Sequence, residues 1–499
     1  MKEDDDAAAA EHSADMEAQK RELTDRVASL NVLQRNIFED FKTDFEAGLE
    51  HKTSVVIGQG GTGKSYLIDT LGQFLRCYGS PFCEQEASGF HATQRHGPVV
   101  KAAFTGVAAS NVGGITLHNA LRAKGIDISA DVDDKELLNL QHEWAQVKVL
   151  VIDEISFVSD RHLFSISQRF CKLFPQHAST PFGRLYVWLV GDPYQLPPVK
   201  AKTIWPQGCT ESLSEKEAMG RDLYLDADQF YELRKGKRNR GRFFEALSRI
   251  RKFLATAEDI KLLNSRSQSE QSSGGGFWLS ESVHIFGTNR EVRRHNDKAL
   301  IRDCSATDSR GKKKRTCRAW THVSLSKQVV KHQDAAAKRS AIRSCLSRTQ
   351  RTSSKEKFVP NALCMYTGMR VMLQENTCVE IGLFNGATGK IVKMYAPESV
   401  DPHETAAEAV DRMSSPNALV DMPVVLVQLD EHCYRGPSVL AGLPRVIAIS
   451  AICKRIQAPF PATIHQLPPV HAHAFTVHKT QALTLKSVAI DGSNFCASA

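Results

Sequence analysis

None of the 12 cysteines in this 499-residue sequence stands in a Cys-x-x-Cys pair. That argues against a disulfide framework and for a reduced, intracellular protein. Cys77, Cys83, His91 and His96 come nearest to a metal cluster, but their spacing misses the zinc-finger pattern. No apolar run is long enough to cross a bilayer, so no membrane partner is expected. The start, Met1-Lys2-Glu3-Asp4-Asp5-Asp6, is acidic, unlike a signal or transit peptide. No tyrosine follows Tyr434, so His471-Ala472-His473 lacks the nucleophile a rolling-circle nuclease would need. Alternate histidines on a strand face are the better reading. Charge is short of strong bias: 64 Lys and Arg against 56 Asp and Glu give +8. This leans towards nucleic acid but proves nothing alone. The length allows about two to four domains with ample core.

What the sequence does contain is one loop, Gly58-Gln59-Gly60-Gly61-Thr62-Gly63-Lys64-Ser65. It fits G-x-x-x-x-G-K-[ST], the phosphate-binding loop. Thr53 to Ile57 is β-branched and predicts a buried strand before it. Leu67, Ile68, Leu71, Phe74 and Leu75 predict a helix after it. Strand, glycine loop and helix make an anion site from backbone N–H groups and a helix N-terminus. Lys64 is suited to the β- and γ-phosphates, and the Ser65 hydroxyl to Mg²⁺. ATP with Mg²⁺ is therefore the expected cofactor pair.

Further strands point at the same edge. Val147 to Ile152 is continuously apolar and ends in Asp153-Glu154. Asp153 is expected to hold Mg²⁺ through water, and Glu154 to polarise the attacking water. Tyr186 to Val190 ends in Gly191-Asp192-Pro193-Tyr194-Gln195, with Gln195 placed to sense a γ-phosphate. Val99 to Phe104 runs into Thr105 through His118, rich in small residues that let a sugar–phosphate strand approach. Gln34 begins a helix bearing Ile37, Phe38 and Phe41. Its amide is either a surface group or a reader of an adenine edge.

The alternation of strand and helix signals predicts an α/β, doubly wound parallel sheet over 28–235, after an acidic tail at 1–27 expected to be disordered or a frayed helix. Arg234 to Arg251 is densely basic. A second α/β domain is expected over 236–309, closing with 451–499. Between them, 310–358 is a basic insertion; residues 310–357 hold fifteen Lys/Arg against two acidic residues. A solvated, mobile segment brushing nucleic acid is expected there. Within it, Gly311-Lys312-Lys313-Lys314-Arg315 reads as a charged loop or a nuclear signal. Short strands at Arg370–Leu373, Lys390–Lys393, Val424–Leu429 and Val446–Ile449 predict a small all-β barrel over 359–450. Asp401 to Pro416 reads as a polar loop inserted in it.

With these stretches in view, the chain resembles the petite-integration-frequency (PIF) DNA helicases, RecD-like members of helicase superfamily one. The resemblance runs from about residue 28 to the C-terminus and is weakest in the basic insertion. It is carried by Thr105–His118 with its Gly-Gly-x-Thr-x-His ending, Val151–Ser156, Gly191–Pro198, Leu233 to Gly241, Leu383–Gly389 and His478-Lys479-Thr480-Gln481. The last two are specific to the family.

The resemblance implies two RecA-like domains (parallel sheets flanked by helices), a small β-barrel insertion, and ATP-driven unwinding of duplex DNA with 5′→3′ polarity. Single-stranded and tailed duplex DNA are the implied partners, in repair, recombination or telomere maintenance. An intracellular setting is expected, the nucleus first and the mitochondrion second. Gln34 is implied to contact adenine. Lys64, Ser65, Asp153, Glu154 and Gln195 would form the hydrolytic centre, with Gly58, Gly60, Gly61, Thr62 and Gly63 around the phosphates and Arg238 as an arginine finger. Thr105, Thr116, His118, His478 and Lys479 would contact DNA. Lys124 to Gln146 would hold a strand-splitting wedge. Ala482 stands where the family has glycine. The family also continues with a helix carrying Ala-Leu-Ser-Arg, which Gly492 to Ala499 does not resemble. Slow turnover is expected on that ground. The second reading is a nucleotide-gated DNA-binding protein that turns over little or not at all.

Overall fold

The computed structural model describes residues 2–48, 51–78, 96–123, 132–206, 212–236, 241–266, 282–305, 316–326, 334–350, 362–379, 381–395, 405–414, 422–431, 433–456, 461–481, 483, 485 and 487–491. The chain divides into two units, Met1–Gly274 and Gly275–Ala499. The first therefore runs beyond residue 235, where the sequence reading drew its boundary.

The first unit opens with α1 (Lys2–Ala28), α2 (Val32–Glu46), β1 (Lys52–Gly58) and α3 (Lys64–Tyr78). It continues with β2 (Val99–Ala103), α4 (Gly106–Asn111), β3 (Ile115–Thr116), α5 (Leu117–Ala120) and α6 (Asp134–Trp144). Then come β4 (Val149–Asp153), α7 (Asp160–Leu173), β5 (Tyr186–Gly191), α8 (Glu215–Leu225), β6 (Gln229–Leu233), α9 (Arg242–Ile250) and α10 (Ala257–Asn264). The strands form one parallel sheet in the order β3-β2-β4-β5-β1-β6. This is the expected doubly wound sheet.

Its apolar strands serve two cores at once. Val55, Leu150, Ile152, Val187 and Leu189 pack with Leu163, Phe170 and Trp144. Their neighbours Val56, Val149, Val151, Tyr186 and Trp188 pack with Phe38, Phe41 and Phe74. Successive strand side chains point to opposite faces, so helices on both faces demand an unbroken apolar run. The Phe41 ring meets Tyr186 at 5.2 Å and Trp188 at 5.6 Å, both edge-on. Each fully buried ring of this kind stabilises by about 1.5–3 kcal/mol. At Gly114 a β-carbon would sit 2.1 Å from the Lys101 carbonyl oxygen, so only glycine lets β3 pair with β2.

The acidic start is not a disordered tail: Lys2–Ala28 is one helix. Its last turns dock on α3, with Leu23 buried and the Gln73 amide donating to the Gln19 carbonyl at 3.1 Å. Of the expected wedge, residues 124–131 lie outside the described set. The rest is largely α6, which buries Leu140 and Trp144 in the core.

The second unit comprises β7 (Val283–Phe286), α11 (Asn289–Ser305), β8 (Thr316–Trp320), β9 (His322–Leu325), α12 (Ala335–Gln350), β10 (Ala362–Tyr366), β11 (Arg370–Leu373) and β12 (Thr388–Tyr395). Then follow α13 (Ala406–Ser414), β13 (Val424–Leu429), β14 (Val446–Ile449), β15 (Ile452–Ile456), β16 (Ala462–Gln466), β17 (Pro469–His471), β18 (Ala474–Thr476), α14 (Val477–Thr480) and β19 (Val488–Ile490). A parallel sheet, β18-β7-β19, carries the expected α/β character. Buried Asn296 of α11 ties it down, donating to the His471 carbonyl at 3.3 Å and accepting from the Ala474 N–H at 2.9 Å. The four expected barrel strands join β17 in a five-stranded antiparallel sheet, β14-β13-β12-β11-β17. Among the described residues no pairing closes it.

The basic insertion is the largest correction. Its residues 316–326 and 334–350 are ordered elements. Strand β9 pairs with β16, and β16 with β15, in a three-stranded sheet. Val323, Ile456 and Ile464 of that sheet pack with Ile342 and Cys345 of α12 and with Ala409, Val410 and Met413 of α13. The helix α13 also replaces the polar loop expected between Asp401 and Pro416. The reason is local patterning: Ala341, Ile342 and Cys345 make one apolar stripe on an otherwise Ser/Arg-rich helix.

Ile342 is fully buried. Ile342→Ala should cost this module about 2–5 kcal/mol. Hydrogen exchange should then quicken together in α12, α13 and β16 while the β1–β6 sheet keeps its protection. Unchanged exchange in α13 would show that the three elements do not share a core.

Candidate phosphate-binding and hydrolytic site

The loop between β1 and α3 turns on two glycines in the left-handed region, Gly61 at φ 86° and Gly63 at φ 87°. A β-carbon at Gly58 would lie 2.8 Å from both the Leu233 carbonyl oxygen and Thr62 Oγ1. The loop is cross-braced from within. Thr62 Oγ1 donates to the Gln59 carbonyl at 2.8 Å. Lys64 Nζ donates to the carbonyls of Gly58 at 2.6 Å and Gln59 at 3.4 Å. Its ammonium thus lies folded over the mouth of the loop. Ser65 is exposed on the first turn of α3.

Strand β4 delivers Asp153 and Glu154 to the same edge of the sheet, one strand away from β1 across β5. Asp153 is buried, and desolvation lifts its carboxyl to about 6 against the pull of the Glu154 backbone N–H and Lys64. Glu154 is lifted to about 7, by desolvation first and then by the charges of Asp153 and Asp192, with Lys64 opposing. Its Oε2 is buried with no hydrogen-bond partner. Its backbone is left-handed at φ 50°, ψ 51°, a strained state of about 1–3 kcal/mol for a non-glycine residue. Gln195 follows β5 in a turn closed by its own N–H on the Asp192 carbonyl at 3.1 Å. The structure therefore gathers Gly58, Gly60, Gly61, Thr62, Gly63, Lys64, Ser65, Asp153, Glu154 and Gln195 at the C-terminal ends of β1, β4 and β5. Hard oxygens beside an uncompensated carboxylate pair suit Mg²⁺.

Gln34 lies beneath the phosphate loop. It is fully buried. Its Oε1 accepts the Asn31 N–H at 3.2 Å in a capping box. Its Nε2 donates to the carbonyls of Thr62 at 3.2 Å and Gly63 at 3.1 Å. The amide thus staples α2 to the phosphate loop, with both ends engaged. Arg238 lies outside the described residues.

The residues expected to meet DNA fall into both units. In the first, Thr105 caps α4 by accepting the Ala108 N–H at 3.2 Å, and Thr116 caps α5 by accepting the Asn119 N–H at 3.3 Å. His118 packs its ring edge-on against Phe104 at 5.2 Å. All three sit at the C-terminal ends of β2 and β3. In the second unit His478 is exposed on α14, and Lys479 donates to Gln374 Oε1 at 3.1 Å.

Sequence reading missed the part played by α9. Ser248 donates to Gln59 Oε1 at 2.5 Å, and Arg251 pairs with Asp192. Together with Gly58, Tyr194 and Phe244 they line a cavity of about 390 Å³ beside the loop. The signal available was only a basic run.

Residues 29–221 match the family model of PIF1-like helicases. Over that stretch the chain is similar to PIF1-like helicases. It is similar to the ATP-dependent DNA helicase Pif1 of Psychrobacter sp. (strain PRwf-1), 24% identical over 477 residues, covering 88% of this chain and 62% of that protein. It is also similar to the ATP-dependent DNA helicase PIF7 of Trypanosoma brucei brucei, 24% identical, covering 90% of this chain and 42% of that one. The chain thus spans less than two thirds of either relative. Among solved structures, the Pif1 helicase of Candida albicans shares its fold with a TM-score of 0.58 at 19% identity, over 93% of this chain and 88% of that one. A structure of two Pif1 helicases coordinating at forked duplex DNA aligns with a TM-score of 0.56 at 20% identity, over 92% and 85% of the chains. The match to the PIF1-like model and the parallel α/β fold with its added antiparallel sheet agree with what the motifs imply.

The acid pair has a thermodynamic signature. Both carboxyls bind a proton more tightly folded than unfolded. The stability they contribute is therefore complete below the unfolded value near 4 and is lost as pH rises through about 6 to 7. In metal-free, nucleotide-free buffer Glu154→Gln should raise the melting temperature by about 5 °C at pH 8, with most of the gain gone at pH 5. A gain that does not depend on pH would mean that burial does not set the acidity of this group.

Proposed function

We propose that this chain is an ATP-driven DNA helicase that couples Mg²⁺-dependent ATP hydrolysis to 5′→3′ unwinding. One observation carries the reading: the glycine loop with Lys64 faces buried Asp153 and half-buried Glu154, whose Oε2 is buried with no partner. The PIF1-like model match and the named DNA helicases among its relatives support the same activity.

Each residue then has a task. The loop N–H groups and the start of α3 bind phosphate oxygens. Lys64 leaves the Gly58 carbonyl and turns its charge on the β/γ-phosphates. Asp153 and Ser65 would hold Mg²⁺, which when bound supplies charge neutralisation at the transferring phosphoryl. Glu154 takes the proton of the attacking water; its acidity near neutrality suits a general base. Gln195 reports the γ-phosphate to the Asp192 turn. Arg238 is assigned the arginine-finger role on the resemblance alone. Thr105, Thr116 and His118 form one DNA-contacting edge, and His478 and Lys479 another. Contacts to phosphate and sugar give grip without sequence preference.

Lys64→Ala should lower DNA-stimulated phosphate release by at least about 10³-fold. Glu154→Gln should lower it by about 10²–10⁴-fold while nucleotide binding persists. Full phosphate release by Lys64→Ala would falsify the assignment.

Duplex with a 5′ single-stranded tail should open faster than duplex with a 3′ tail. Affinity for single strands should fall steeply between 50 and 200 mM salt, roughly tenfold or more if several phosphates are contacted. Preference for the 3′ tail would overturn the polarity, and salt-independent binding would overturn the backbone grip.

A further inference from the structure

Helix α9 returns to the hydrolytic edge with one side chain that none of the roles above includes. We infer that Arg251 is a positioning residue for hydrolysis: it holds the Asp192 turn, and through it Gln195, in register with the phosphate loop. The inference rests on the ATP-hydrolysing reading.

Arg251 is the C-cap residue of α9. Its Nη1 donates to Asp192 Oδ2 at 2.7 Å and its Nη2 to Asp192 Oδ1 at 2.5 Å. Asp192 is almost wholly buried, at 2% exposure. A buried carboxylate needs such a partner, and the guanidinium fork answers both oxygens at once. The same Oδ1 accepts the Tyr194 N–H at 3.1 Å, and the Gln195 N–H closes on the Asp192 carbonyl at 3.1 Å. So the turn that presents Gln195 is built on Asp192, and Asp192 is held by Arg251. The guanidinium also lies over the Tyr194 ring, 4.7 Å from its centroid.

The helix has a second hold. Ser248, three residues before Arg251, donates to Gln59 Oε1 at 2.5 Å. Gln59 is the residue whose carbonyl accepts from Thr62 and Lys64. One short helix thus grips the phosphate loop at one point and the Gln195 turn at another, and fixes the spacing between them. A plain stabilising ion pair would need neither the second hold nor the bidentate geometry. Lysine can satisfy the charge of Asp192 but reaches its oxygens as a point, not a fork.

The test measures DNA-stimulated phosphate release against ATP concentration for the full chain, beside its melting temperature. Arg251→Lys should melt with the parent chain, lose about 10- to 100-fold in kcat, and keep KM for ATP within about threefold, as expected when a reacting group is displaced by a fraction of an ångström. Should Arg251→Lys melt early, Asp192→Asn carries the same test. It keeps the acceptor for Tyr194, removes half of the fork, and should likewise lose kcat. Combined with Arg251→Ala it should lose no more than the worse single variant, because the two act as one device. Parental kcat in Arg251→Lys, a loss confined to KM, or additive losses in the double variant would each overturn the proposal. Lys64→Ala separates the two readings. If it hydrolyses like the parent, the ATP site is misassigned. If it is inactive, the Arg251 results bear on the strut alone.

Discussion

Desolvation of carboxylates at the C-terminal edge of the parallel sheet is the constraint that the first unit is arranged around. Asp153, Glu154 and Asp192 meet there with two facing cations, Lys64 and Arg251. The cations are not shared evenly. Arg251 is committed to Asp192 by a two-bond fork. Lys64 is left to answer Asp153 and Glu154, and it opposes the upward pKa shift of both without cancelling it. A site left short of positive charge in this way favours a further cation. The strand order explains why the acids cluster: β5 lies between β4 and β1, so the three strand ends deliver Asp192, the acid pair and the loop side by side.

The same edge is held from below and from the side by groups that do no chemistry. Gln34 ties α2 to the carbonyls of Thr62 and Gly63. Ser248 ties α9 to Gln59. Thr105 and Thr116 fix the starts of α4 and α5, so the small residues between them keep their backbone at the sheet edge. These are neutral hydrogen bonds worth about 1 kcal/mol each. Their value is geometric: a phosphate loop that is half glycine has little rigidity of its own.

What could be read from sequence was what local pattern decides. The loop, the apolar strands on either side of it, and Asp153-Glu154 at a strand end all depend on residues within a few positions of one another. The use of Gln34 did not, because its partners are carbonyls of Thr62 and Gly63, and a carbonyl leaves no mark in the sequence. Arg251 was hidden inside a run of basic residues, where one half-buried, paired arginine looks like its solvated neighbours. The second unit was legible in its strands and misread in its insertion. There, composition averaged over 310–357 concealed three buried positions of α12, Ala341, Ile342 and Cys345. A helix needs only one apolar stripe, and a window rich in Lys, Arg and Ser can hold one without changing its mean.

That misreading has a topological cause as well. The stripe on α12 packs against Val323 of β9, just upstream, and against two strands that lie far downstream, through Ile456 of β15 and Ile464 of β16. The five-stranded sheet is formed almost entirely by segments that fall between β9 and β15 along the chain. The three-stranded module is therefore closed around another module and is no appended segment. Its core forms only after a long loop has been drawn in, which costs loop entropy before any contact is gained. An insertion with those contacts belongs to the fold, and Lys338, Arg339 and Arg343 stand on a packed helix, with Arg339 already paired to Asp411 at 3.6 Å.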